Sequence, residues 1–134
     1  MGTIHSPHTV YGYLGPESWR LRRERAWLLL LSPRYELLSR GVIGEGVSDE
    51  VEVDLDWALA CVRLPDTPYA VLAHNHPNGA AWPSEADVDL TRSMAKAARR
   101  AGVELLDHVV LGRDQNFSFR ERQLWQVSRT RTAK

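Results

Sequence analysis

Cysteine is nearly absent from this sequence: Cys61 stands alone among 134 residues. That excludes an internal disulfide framework and any metal site built on two or more thiolates, and it suits a reducing cytoplasm. Charge of one sign is missing as well, because 17 Lys and Arg balance 17 Asp and Glu. Without a net basic field, binding to a phosphate backbone is not the expected activity. Long apolar runs are also lacking. The longest, Ala26 to Leu31, falls far short of the roughly 20 residues that cross a bilayer. The opening MGTIHSPHTVYGYLGP has neither the charged start nor the apolar core of a signal peptide. A cytoplasmic protein without membrane attachment is the expectation, and 43% hydrophobic content over this length suits one domain.

Local patterning divides the chain into an irregular lead-in over 1–16, a folded domain over 17–127 and a polar tail over 128–134. The arginine-dense stretch from Glu17 to about Arg25 is predicted as a short helix running straight into an apolar strand, AWLLLLS. Pro33 and Arg34 turn the chain into a second strand, Tyr35 to Ile43, completing a hairpin. A short extended piece is expected at 51–53, and Asp54 reads as the N-cap of a helix carrying Leu55, Ala58, Leu59 and Val62. YAVLAHNH is a β-rich strand, and Ser84 to Arg100 is the longest helix, with Gly102 as its stop. After it come the strand VELLDHVVLG, a turn at 113–115, a short strand FSF and a helical piece over Gln123 to Val127. This alternation implies a three-layer α/β/α domain around one mixed sheet.

The chemistry lies in the run from His74 to Asp87. His74 and His76 are two apart on a strand, so their side chains leave the same face while Asn75 points the other way. Asp87 falls in the first turn of the next helix, where the dipole favours a carboxylate, and the Pro- and Gly-rich loop between them brings helix and strand ends together. Two imidazoles and one carboxylate match a catalytic zinc site, which takes three protein ligands and leaves a fourth position for water. Each part has an ordinary explanation. An HxH on a strand is often incidental, and Ser84 with Asp87 is an N-terminal capping pattern. Together they point to a metal-dependent hydrolase.

The same run, HNHPNGAAWPSEAD, resembles the signature of the JAMM metalloenzymes of the MPN-domain family, H-x-H-x(7)-S-x(2)-D. Its surroundings are similar to the RadC branch: HNHP-x-G before PS, then LTRSMAKAARRAGVELLDHVVLG, and FSF near the end. The resemblance covers about Glu24 to Phe119. It implies a cytidine-deaminase-like MPN fold and cleavage of peptide or isopeptide bonds by one Zn2+ ion with a bound water, held by His74, His76 and Asp87. It also implies an upstream glutamate that moves the proton of that water. Glu24, immediately before AWLLLL, fits that position best, with Glu36 and Glu45 as rivals. Ser84 is carried over as the hydroxyl that hydrogen-bonds the developing oxyanion.

Asp107 and His108 repeat the LLDH of the RadC pattern but are left out of the catalytic set, since a strand histidine is more often structural. Trp82 either covers the site or packs its loop. The expected partner is a peptide or protein substrate, with ubiquitin-like conjugates among the candidates, and a homodimer suits such a chain. Three alternative readings compete with this one. A nucleobase deaminase needs H-x-E with P-C-x-x-C, which one cysteine cannot meet. A nucleic-acid-associated module is suggested by basic patches at Arg20 to Arg25 and Lys96 to Arg100, but the neutral net charge opposes it, and the helix-hairpin-helix region common in RadC proteins has no counterpart in this sequence. A metal-binding scaffold without turnover is the third, and it is opposed by the presence of all three ligand residues.

Overall fold

The computed structural model describes residues 2–45, 54–77 and 79–122. In chain order these form α1 (Pro7–Ser18), β1 (Arg25–Leu31), β2 (Leu37–Glu45), α2 (Leu55–Val62), β3 (Tyr69–Asn75), α3 (Glu85–Arg100), β4 (Glu104–Leu111) and β5 (Asn116–Ser118). The strands make one mixed sheet in the order β2-β1-β3-β4-β5. β1 is antiparallel to β2 and to β3, β3 is parallel to β4, and β4 returns antiparallel as β5. Both expected hairpins are therefore present.

The unbroken apolar run of β1 is explained by cover on both faces. Trp27, Leu29 and Leu31 alternate toward Val10 and Leu14 of α1. Leu28 and Leu30 point the other way, toward Leu59 of α2 and Met94 and Ala97 of α3. The result is the α/β/α layering expected from the sequence. All five of these β1 side chains are fully buried, so truncating any one of its leucines to alanine would cost about 2–5 kcal/mol.

The parallel step from β3 to β4 requires a crossover, and α3 supplies it. That connection sets the N-terminus of α3 beside the end of β3, at the sheet edge where ligands gather in folds of this class.

The beginning of the chain departs from its expected form. The lead-in over 1–16 is not irregular: Pro7 to Ser18 is a helix, started by a reciprocal capping box between Ser6 and Thr9 with Pro7 in its first turn. Gly12, Gly15 and Pro16 hide it from periodicity, and only Val10, Leu14, Gly15 and Ser18 of the helix are buried. The arginine-dense stretch after Glu17 is not helical beyond Ser18. Trp19 caps the helix by donating its N–H to the Gly15 carbonyl, and the chain turns there to enter β1. The second strand starts and ends two residues later than expected, and the longest helix agrees within one residue, with Ser84 as its N-cap. The expected pieces at 51–53 and 123–127, and the tail, lie outside the described residues. Among the described residues no helix is long and apolar enough to cross a membrane.

Candidate metal centre

β3 carries His74 and Asn75 to the sheet edge, with His76 just beyond it, where its N–H still bonds the Leu111 carbonyl of β4 at 3.2 Å. Strand alternation separates the side chains as expected. Asn75 turns away from the imidazoles and is held by the Arg23 carbonyl and the Arg25 N–H. The chain then folds back: Gly79 donates to the His76 carbonyl, and Arg113 donates to the Gly79 carbonyl. Gly79 has φ +89°, and a Cβ on Gly112 would lie 2.8 Å from the Gly79 oxygen, so both glycines are needed where these loops pass. At the end of the loop Ser84 Oγ accepts from Asp87 N at 3.1 Å, while Asp87 Oδ2 accepts from Ser84 N at 2.7 Å.

That capping box aims the Asp87 carboxylate at both histidines. His74 Nε2 lies 3.0 Å from Asp87 Oδ1, His76 Nε2 lies 3.1 Å from Oδ2, and the two Nε2 atoms are 2.9 Å apart. Glu24 Oε1 is 3.6 Å from His76 Nε2. One ligand atom each from Glu24, His74 and His76 lies within 4.8 Å of the others. Asp87 bridges both imidazoles more closely, with Glu24 standing at the outer, more exposed side.

The donor set suits a cation. His76 Nδ1 faces the Ala80 carbonyl at 3.0 Å. A carbonyl only accepts, so Nδ1 carries the hydrogen and Nε2 of the neutral ring presents a lone pair. Two ring nitrogens and a carboxylate directed at one small volume are electron-rich, and they need a proton or a metal ion between them. Without metal the proton is favoured on His76: its hydrogen bond to Asp87 raises the pKa above the ordinary imidazole value, outweighing burial. Burial works to raise the pKa of Asp87, but the facing imidazoles of His74 and His76 and the Ser84 N–H hold it well below the carboxylate range, so the group stays charged. Two nitrogens and one oxygen are a common catalytic zinc set.

The rival glutamates are engaged elsewhere. Glu45 accepts from Arg25 Nε at 2.7 Å, and Glu36 lies beside Ser32 in the hairpin turn. Trp82 packs edge-on against Phe117, with the Arg122 guanidinium over its ring, although it stays 68% exposed. The basic patches are partly neutralised within the chain: Arg25 pairs with Glu17 and Glu45, and Arg100 pairs with Asp56. Sequence reasoning gave no role to three residues at this centre. Asn75 holds the backbone around Glu24, His108 Nε2 sits 2.8 Å from His74 Nδ1, and Thr91 Oγ contacts His108 Nδ1. The LLDH likeness was the available signal for His108, and Thr91 lay in the same RadC-like run with nothing to single it out.

A family model of the RadC-like JAB domain matches residues 4–124, including α1. A UPF0758 protein of Symbiobacterium thermophilum is 32% identical over 119 residues, 89% of this chain and 51% of that protein. A UPF0758 protein of Leptothrix cholodnii is 35% identical over 119 residues, 89% of this chain and 54% of the relative. One from Porphyromonas gingivalis is 32% identical over 123 residues, 91% and 54% of the two chains. The chain thus spans about half the length of the curated relatives it matches. Since the match takes in the sheet, all three helices and the histidine loop, the chain belongs to the RadC-like JAB domain family.

Proposed function

We propose that the chain is a zinc-dependent hydrolase of peptide or isopeptide bonds, with His74, His76 and Asp87 as the protein ligands. The observation that carries this reading is the meeting of His74 Nε2, His76 Nε2 and both Asp87 oxygens within about 3 Å, beside a glutamate that forms no part of that tight cluster. When bound there, zinc supplies Lewis acidity, polarising a carbonyl and bringing the pKa of water toward neutrality.

The chain's own groups divide the remaining work. Glu24, on the exposed side of His76, takes the proton of the attacking water and returns it to the leaving amine. Ser84 uses one lone pair to cap α3, which leaves its hydroxyl hydrogen free to donate to a developing oxyanion. Membership of a JAB-domain family is compatible with this chemistry. The substrate class follows from the reaction: a peptide tail or a ubiquitin-like conjugate presents the amide such a centre opens.

A screen of peptide and isopeptide substrates, with and without a chelator, tests the proposal. Turnover that the chelator abolishes and zinc restores is expected; zinc-loaded protein that cleaves no amide across the screen would leave a metal-binding scaffold instead.

A further inference from the structure

We infer that His108 and Thr91 are positioning residues that fix His74 as a metal ligand, tying it through three hydrogen bonds to the backbone of Asp87. The inference rests on the metal-site reading above. Thr91 Oγ lies 2.7 Å from the Asp87 carbonyl oxygen, one helical turn back along α3. A carbonyl cannot donate, so the threonine hydroxyl hydrogen points there. That hydroxyl has no second hydrogen, and the contact it makes with His108 Nδ1 at 2.5 Å must therefore be donated by the ring.

With the hydrogen on Nδ1, the neutral His108 ring has only a lone pair at Nε2. Its neighbour, His74 Nδ1 at 2.8 Å, must carry the hydrogen between them. His74 Nε2 is then left as a lone pair, directed at Asp87 and His76. Each hydrogen in the chain has one acceptor and each acceptor one hydrogen, so the order cannot be reversed while the Asp87 carbonyl closes it.

The parts that hold this arrangement are rigid. His108 is fully buried in β4 and stacks on Phe119, with ring planes 5° apart and centroids 4.8 Å apart. Its backbone N–H donates to Asp107 Oδ1, a carboxylate that also accepts from Ser118 Oγ and Arg120 N and so anchors the turn around β5. The relay joins a strand ligand to a helix ligand, which makes the distance between them a property of the core. Metal-bound imidazoles are oriented in this way by an acceptor at their second nitrogen, and losing that acceptor typically lowers metal affinity about 10–100-fold.

The test compares wild type with His108→Leu, His108→Gln and Thr91→Val, each checked for native melting behaviour. Zinc affinity is measured by competition with a chromophoric chelator, and the His74 tautomer is read from long-range 1H–15N correlation spectra of the metal-free protein. Expected results are a loss of about 10–100-fold in affinity for His108→Leu, a smaller loss for Thr91→Val, substantial recovery in His108→Gln, whose side-chain oxygen can accept from His74, and hydrogen on Nδ1 of His74 in the wild type. Folded His108→Leu or Thr91→Val protein with wild-type affinity would overturn the inference while leaving the metal site intact. Hydrogen on Nε2 of neutral His74 would do the same. Wild type that binds no zinc would sink the metal-site reading and this inference with it.

Discussion

Asn75 holds the backbone on both sides of Glu24: its Oδ1 accepts from Arg25 N at 2.7 Å, and its Nδ2 donates to the Arg23 carbonyl at 3.1 Å. The residue between the two histidines thus links the histidine strand to the glutamate before β1. Because Asn75 is 2% exposed, no solvent replaces those bonds when the amide is removed. Asn75→Ala should retain zinc, since neither imidazole loses a partner. Its kcat/KM should fall about 10–100-fold, the equivalent of about 1–3 kcal/mol of hydrogen bonding lost from the positioning of Glu24. Steady-state kinetics with parallel metal analysis checks this, and unchanged turnover would detach Asn75 from the chemistry.

Glu24→Gln keeps the shape of the side chain but removes its basicity. Zinc content should stay at the wild-type level while turnover falls by about 10²–10⁴-fold, the usual contribution of a general base. Retained activity would move the role away from Glu24, to Glu45 or Glu36. Glu45 would first have to leave Arg25.

Zinc binding should release protons, because the hydrogen bond that His76 makes to Asp87 raises its pKa in the metal-free protein. The sign follows from the raised pKa: protons compete for Nε2 until the pH rises through that value, so affinity increases with pH up to a point above the ordinary imidazole pKa of about 6.5 and then levels off. Calorimetry in buffers of different ionisation enthalpy measures the release. A pH-independent affinity would contradict the assignment of His76 as a ligand.

Glu17 ties α1 to the sheet. Its carboxylate receives both guanidinium nitrogens of Arg40, at 3.1 and 2.9 Å, and the Trp27 indole N–H at 3.3 Å. The Arg40 hydrogen bond leads in lowering its pKa, against some desolvation. A depressed carboxylate contributes stability above its unfolded pKa of about 4.3 and loses it as pH falls through the folded value. The group is 35% exposed, so after solvent screening Glu17→Gln should cost only about 0.5–1 kcal/mol at neutral pH. Urea melts of the two proteins should converge on acidification. A gap that stayed constant down to pH 3 would assign the effect to packing.

How far the sequence reveals this centre depends on how local the determinant is. His74, His76 and Asp87 are legible because strand alternation and a helix start fix side-chain direction within fourteen residues. β1 is legible because burial on both faces leaves an unbroken apolar run. α1 was not, since its capping box lies at Ser6 and Thr9, outside any amphipathic stripe, and its Gly and Pro residues read as loop. Asn75 and His108 escaped for another reason. Their roles arise across β1, β3 and β4, whose register is set by tertiary pairing and by the bulge between Ala70 and Val71.

Metal analysis of protein purified without added chelator bears most directly on the central claim. Native chain should carry close to one zinc per molecule, while His74→Ala and Asp87→Ala, folded by circular dichroism, should carry almost none. Native protein without stoichiometric zinc, or full zinc content in both variants, would contradict it.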